Sequence, residues 1–244
     1  MEKYVKNYEI RSADCDQNGL LRLRTLFNLF QDLADDHANI MGVGYHFCKE
    51  HGIGWIGGAY HIRINQMPKW EDKVRLLTWP SASTAVTGIR EFQMCSEKGD
   101  ILIDASSQWV LVDTQKFRPI SVAKYIGSYE LIPERSVDTS FEKLPTLERI
   151  DYETDEIVRY DDIDLNNHVN NAVYPAWILD ALPVEFLKQH VLKELKIQFK
   201  KSALLSDFIH IQTQIEGEHT FHVITNKDGS SEFARLEMKW KNNY

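Results

Sequence analysis

The chain has 244 residues, 43% of them hydrophobic and 26% charged, with a formal net charge of −8. That length suits one large domain or two of about 120 residues, and the acidic balance disfavours a nucleic-acid partner. Cys15, Cys48 and Cys95 are widely spaced and form no CxxC pair, which disfavours a disulfide framework and points to a reducing cytosol. No apolar signal core opens the chain, and no run approaches the roughly 20 apolar residues of a membrane span. The expectation is a cytoplasmic protein with no membrane partner.

In chain order, a polar stretch "RSADCDQNGLLRL" (11–23) precedes apolar residues at Leu26, Leu29, Phe30, Leu33 and Ala34. That is helical spacing, with Gly42 placed to end it. The segments "WIGGAYHIRIN", "KVRLLTWPSAS", "TGIREFQMCS" and "ILIDASSQWVLVD" then read as strands, with "EKGD" a turn between the last two. The polar stretch 131–150 lacks apolar periodicity and reads as a linker. Next comes "RYDDIDLNNHVNN" (159–171), which repeats the first polar stretch at a constant offset. Arg159, Asp162, Asp164 and Asn166 fall on Arg11, Asp14, Asp16 and Asn18, while His168 falls on Leu20. A second helix pattern, "VYPAWILDAL", follows, with Pro175 tolerated only in its first turn. "LKELKIQFKK", "FIHIQTQIEG", "TFHVITN" and "EFARLEMKW" close the chain as strands. Each half thus reads strand, polar loop, helix, then about four strands. The fold class is α+β, with antiparallel sheets packed on helices. The expected organisation is an N-terminal domain 1–130, a linker 131–150 and a C-terminal domain 151–244.

The polar loops resemble calcium loops only in part. Counting from Asp14, the twelfth position is Thr25 and the ninth is Arg22; counting from Asp162, the twelfth is Val173. The bidentate glutamate is missing from both copies. No H-E-x-x-H occurs and no cysteine follows Cys95, so no metal or cofactor is expected. Asn170 and Asn171 stand where helix caps belong. Asp162, Asp164 and His168 lie upstream of the cap and are less easily explained by it.

"DIDLNNHVNNAVYPAWILDALP" resembles the signature of the acyl-ACP thioesterases, D-x-N-x-H-x-N-N followed by a tyrosine and a tryptophan-bearing helix. "GIGWIGGAYHIRINQMPKWEDKVRLLTWPSAS" and "ASSQWVLVDTQKFRPISV" are similar to further segments of that family, in the same order. The resemblance implies a tandem double hotdog, two antiparallel sheets each wrapped around a long central helix. It implies hydrolysis of a fatty acyl thioester on acyl carrier protein, with the phosphopantetheine-linked chain as substrate and a homodimer as the assembly. By resemblance, Asp164, Asn166 and His168 are the catalytic positions. The family glutamate falls on Ser202 and the cysteine after it on Ala203, so the chain departs from the pattern there. Ser202 can hold a water but cannot accept a proton at neutral pH.

Asn170, Asn171, Tyr174, Trp55 and Trp109 are the candidate substrate-binding residues, the two tryptophans, with Tyr60 and Phe92, as walls of an acyl tunnel. His168 is the candidate base or water-orienting group. Asp164 is the carboxylate that attacks or activates water, and Asn166 fixes the carbonyl or the imidazole. The start of the second helix is the expected source of oxyanion donors. Lys69, Lys73, Lys116, Arg118, Lys200 and Lys201 are candidates to meet an acidic carrier protein. Two rival readings remain: an acyl-CoA thioesterase, and a non-catalytic acyl-binding homologue, which Ser202 favours.

Overall fold

The computed structural model describes residues 2–127 and 129–243; Met1, Ser128 and Tyr244 lie outside the described residues. The chain divides into two compact units, Met1–Phe141 and Glu142–Tyr244. The division falls inside the stretch read as a linker.

The first unit contains β1 (Tyr4–Glu9), α1 (Leu23–Ile40), α2 (Tyr45–Glu50), β2 (Ile53–Ile64), β3 (Lys73–Ser83), β4 (Thr87–Ser96), β5 (Ile101–Asp113), β6 (Arg118–Pro119) and α3 (Val122–Tyr125). Its strands pair antiparallel in the order β1-β3-β4-β5-β2, with β6 added to β5. The 3.6-residue period of α1 buries Leu26, Phe30 and Leu33. Phe30 stacks on Phe92 of β4 at 4.7 Å between ring centroids, and Phe27 meets Tyr60 of β2 at 5.1 Å. Each such buried side chain contributes roughly 1.5–3 kcal/mol. Gly42 stops α1 as expected, in the left-handed region at φ 77°.

The second unit contains β7 (Tyr152–Ile157), α4 (Val173–Ala181), α5 (Val184–Gln189), β8 (His190–Phe199), β9 (Phe208–Glu216), β10 (His219–Asn226) and β11 (Glu232–Asn242). Its order is β7-β9-β10-β11-β8, again antiparallel. Substituting each strand by its counterpart in the first unit gives the same order, so the repeat read from the sequence is a repeat of topology. α4 departs from the expected long helix: it has nine residues, against eighteen in α1. Leu182 leaves it in an extended conformation before Pro183, whose ring sets φ and removes a donor. Pro175 sits in its first turn, and Val173, Tyr174, Trp177 and Ile178 are buried, Tyr174 and Ile178 almost completely.

The stretch 131–150 is tied down along its length. Trp79 Nε1 donates to the Glu134 carbonyl at 2.8 Å, and Ile132 N to the Pro80 carbonyl at 3.0 Å, both in the first unit. In the second unit, Glu148 N donates to Gln214 Oε1 at 2.7 Å, and Arg235 Nη1 donates to the Pro145 carbonyl at 2.9 Å. Side chains and backbone of the strands supply the partners that a segment without regular structure lacks. Among the described residues, no helix is long and apolar enough to cross a membrane.

Candidate active site

Asp164 organises the motif loop. Its Oδ1 accepts from Asn166 N at 2.8 Å and from His168 N at 3.3 Å, and its backbone N donates to the His168 carbonyl at 2.8 Å. Asn167 N returns to the Asp164 carbonyl at 3.1 Å, which places Asn167 in the left-handed region at φ 60°. Asparagine tolerates that conformation better than most residues. The Asn166 side chain lies 3.5 Å from Asp164 Oδ2, at the long limit of a hydrogen bond. His168 is half-buried, and among the described residues none hydrogen-bonds its ring. Carboxylate, carboxamide and imidazole therefore share one tight turn, with Asn166 exposed and the other two half-buried.

The degenerate copy builds the same turn. Asp16 Oδ1 accepts from Asn18 N at 2.8 Å and Leu20 N at 3.0 Å; Asp16 N donates to the Leu20 carbonyl at 2.8 Å; Gly19 stands at φ 73° where Asn167 stands in the second copy. The upstream bonds also repeat: Asp14 N to the Arg11 carbonyl, and Asp162 N to the Arg159 carbonyl. Turn formation accounts for Asp164 Oδ1. It accounts for neither His168 nor Oδ2.

Around the turn, Val169 N donates to the Ala203 carbonyl at 3.0 Å, and Ala203 N donates to the Tyr174 hydroxyl at 3.2 Å. These two bonds hold the exit of β8 against the motif and put Ser202, which is exposed, beside it. Tyr174 is buried and serves as this clamp; burial above all, with the Asp164 and Asp207 carboxylates adding to it, pushes its hydroxyl up to about 12. The N-cap of α4 is Ala172, with no side-chain cap, so neither asparagine fills the expected capping role; Asn170 instead makes a turn ahead of the helix, its Oδ1 accepting from Ala172 N at 2.9 Å and its carbonyl from Val173 N at 2.9 Å. Asn171 is half-buried. With those two N–H groups taken and Pro175 lacking one, the helix start has fewer free donors for an oxyanion than the sequence implies.

The candidate aromatic residues lie in the first unit. Trp55 and Trp109 line a partly open cleft, together with residues of α1, β3 and β4. Tyr60 and Phe92 lie beneath, in the core. Trp55 lies close against β4 because position 88 is glycine; a Cβ there would meet the indole at 3.3 Å. Two charged residues that sequence reasoning passed over also line this cleft, Asp35 of α1 and Arg90 of β4. The available signals were the small residues Ala34 and Ala38 flanking an acidic position on a core helix, and a lone arginine within an otherwise core-forming strand. Of the candidate carrier-facing cations, Lys200 is committed to Glu232 at 2.8 Å and Lys201 to Ser231 at 3.1 Å, while Lys69, Lys73, Lys116 and Arg118 are exposed. Among the described residues, no group of three His, Cys, Asp or Glu side chains is placed to hold a metal ion.

The family models for the acyl-ACP thioesterase N-terminal and C-terminal domains match residues 1–129 and 148–242. The palmitoyl-acyl carrier protein thioesterase of Gossypium hirsutum chloroplasts is 26% identical, aligning with 98% of this chain and 63% of its own length. The chloroplastic oleoyl-acyl carrier protein thioesterase 2 of Arabidopsis thaliana is 25% identical, over 96% of this chain and 69% of its own. Against the first of these curated relatives the chain spans less than two thirds of the protein's length. Among solved structures, the 12:0-ACP thioesterase from Umbellularia californica superposes with a TM-score of 0.88 at 22% identity, over 99% of this chain and 98% of that one. An acyl-ACP thioesterase from Bacteroides thetaiotaomicron gives 0.85 at 20% identity, over 98% of each chain. These structural likenesses establish the fold, two hotdog units in tandem.

Proposed function

Since the chain belongs to the acyl-ACP thioesterase family, we propose that it hydrolyses the thioester between a fatty acyl chain and acyl carrier protein, releasing the fatty acid and the carrier thiol. The observation that carries this reading is the motif turn, which gathers Asp164, Asn166 and His168 at one polar loop. The degenerate copy keeps the turn, with Asp16 and Asn18 at the carboxylate and carboxamide positions, and has Leu20 at the imidazole position.

In this proposal the His168 imidazole takes a proton from water, or holds that water for attack, while Asp164 Oδ2 supplies the second basic group. Asn166 donates to the thioester carbonyl as charge develops on its oxygen. A thiol with a pKa near 8.5 leaves with little assistance, so a dedicated acid for the leaving group is not required. Ser202, beside the motif, positions the water through its hydroxyl in place of a carboxylate. The first-unit cleft takes the acyl chain between Trp55 and Trp109, whose rings supply apolar walls. Exposed Lys69, Lys73, Lys116 and Arg118 meet the carrier. We place the protein in the cytosol as a homodimer, a sheet edge being the natural pairing surface.

The test is side-by-side hydrolysis of matched acyl-ACP and acyl-CoA by wild type, Asp164→Asn and His168→Ala. The reading expects acyl-ACP to be preferred and both variants to lose most of the turnover. Equal or better use of acyl-CoA moves the carrier assignment. Turnover surviving both substitutions removes the assigned centre. Ser202 also favours a non-catalytic acyl-binding role; retained lipid found by mass spectrometry, without turnover of either thioester, would establish it.

A further inference from the structure

Gly88 lies inside β4, opposite Trp109 of β5 in register, and Gly57 of β2 is the partner of Trp109 on its other side. Directly paired residues share one face of a sheet. The Trp109 ring therefore has no side-chain neighbour level with it on either adjoining strand. Gly88, Trp109, Trp55 and Tyr129 all line the first-unit cleft. The backbone does not call for a glycine at 88: its φ is not positive, and the position is in the body of a strand, where glycine is unfavourable. Close approach of another group is what calls for it. The two tryptophans are held differently. Trp109 Nε1 donates to Ser107 Oγ at 2.7 Å, Ser107 Oγ donates to the Arg90 carbonyl at 3.1 Å, and the ring meets Tyr60 edge-on at 6.0 Å. Among the described residues the Trp55 indole N–H has no hydrogen-bond partner, and the ring is held by packing on Cys48, Ile53, Leu111 and Val122. Trp109 is a fixed wall and Trp55 a wall that can yield.

We propose that Gly88 sets the length of acyl chain this cleft accepts, by letting the Trp55 ring lie against the β4 backbone while Trp109 stays fixed. The proposal rests on the reading of the cleft as the acyl site. It makes Gly88 and Trp55 specificity-determining residues. A Cβ at position 88 would stand 3.3 and 3.4 Å from two carbons of the Trp55 ring and 3.5 Å from the Tyr129 hydroxyl, all groups of the cleft wall. The first two distances fall short of the carbon–carbon optimum of about 3.5–4.0 Å, so the indole must give way. The methyl and the displaced ring then take room that the chain would fill. One methylene more or less in a close-fitting apolar pocket changes kcat/KM by about tenfold or more. Trimming the Trp55 ring acts in the opposite sense, by opening space.

The experiment measures kcat/KM over a series of saturated acyl-ACP substrates of increasing chain length, with wild type, Gly88→Ala and Trp55→Leu. Gly88→Ala should move the preferred chain shorter by about two carbons, cutting kcat/KM for the wild-type optimum about tenfold or more relative to the next shorter substrate. The shortest substrates should keep kcat/KM within about twofold of wild type, since they demand least of the cleft. Trp55→Leu should move the preferred chain longer. An unchanged length profile in Gly88→Ala overturns the proposal, as does a loss equal at every length or a Trp55→Leu optimum that stays or moves shorter. If circular dichroism shows that Gly88→Ala does not fold, Trp55→Leu decides alone: a longer optimum supports the proposal, and an unchanged or shorter one refutes it. If wild type hydrolyses no acyl thioester at all, the catalytic reading fails separately. Titration of free fatty acids of the same lengths, read by tryptophan fluorescence, then decides the cleft. A tightest-binding acid that is shorter in Gly88→Ala than in wild type supports the proposal, and an identical length dependence, or no binding, refutes it.

Discussion

Asp164 and Asp16 provide an internal control for separating chemistry from turn formation. Each carboxylate accepts two backbone N–H groups through Oδ1, at 2.8 and 3.3 Å for Asp164 and at 2.8 and 3.0 Å for Asp16. Both residues are half-buried. Removing either acceptor by substitution with alanine resembles loss of a helix cap, a cost of about 1–2 kcal/mol. That corresponds to a fall in Tm on the order of 2–8 °C, depending on whether the units melt together or apart. Asparagine keeps an oxygen acceptor in the same place and forms the same turn, so Asp164→Asn should stay within about 0.5 kcal/mol of wild type. The activities should separate the two sites. Asp16→Ala should keep kcat within about twofold, while Asp164→Asn should lose on the order of a hundredfold or more, the usual contribution of a positioned acid–base group. Thermal melts and steady-state hydrolysis of acyl-ACP give both quantities on the same preparations. Wild-type kcat in Asp164→Asn would show that the carboxylate serves only the turn. A loss in Asp16→Ala equal to that in Asp164→Ala would show that loop integrity is what the assay detects.

Ser202→Glu should raise kcat/KM by about tenfold or more if a carboxylate beside the motif assists the water; an unchanged or lower value would show that the serine is the better fit to this turn. Glu91 is fully buried and receives Arg135 Nε at 2.7 Å, Ser81 at 2.6 Å and Ser106 at 3.1 Å on one oxygen, and Ser136 N at 3.1 Å on the other. Arg135→Met leaves that carboxylate without its counter-ion and should cost about 3–5 kcal/mol in urea unfolding, with Glu91→Gln in the same chain recovering part; a loss under about 1 kcal/mol would place the stabilising weight on the serines instead. His222 is held neutral between Thr213 and Thr220 at 2.9 and 2.8 Å, and burial pushes its pKa down to about 3. Its folded pKa lies below the unfolded value near 6.5. Its contribution is therefore complete above about pH 6.5 and is lost as pH falls towards 3. The urea midpoint should drop across that window, and more shallowly in His222→Gln; identical pH slopes would remove His222 from the acid response.

The duplicated polar stretch was legible because its determinants are local. Asp at the start of the turn, a left-handed position at Gly19 or Asn167 and an apolar period beyond it all lie within a dozen residues, and the turn geometry repeats bond for bond. The strands from 73 to 113 were legible for the same reason, since alternation and turn residues specify them without reference to their neighbours. What escaped depends on partners distant in sequence. Glu91 reads as one more strand residue until Arg135 and Ser136, more than forty positions away, are seen to satisfy it. That Asp35 and Arg90 line one cleft follows from no spacing rule at all. Tyr174 shows the same limit from the other side: the motif marks it as a site residue, while the packing of α4 turns its hydroxyl into the anchor of Ala203. Local chemistry therefore identifies the turn that carries His168, and tertiary contacts decide which side chains beside it face substrate. That asymmetry is why the test of the proposed centre rests on Asp164 against Asp16: the two make the same turn bonds, while His168 follows one and Leu20 the other.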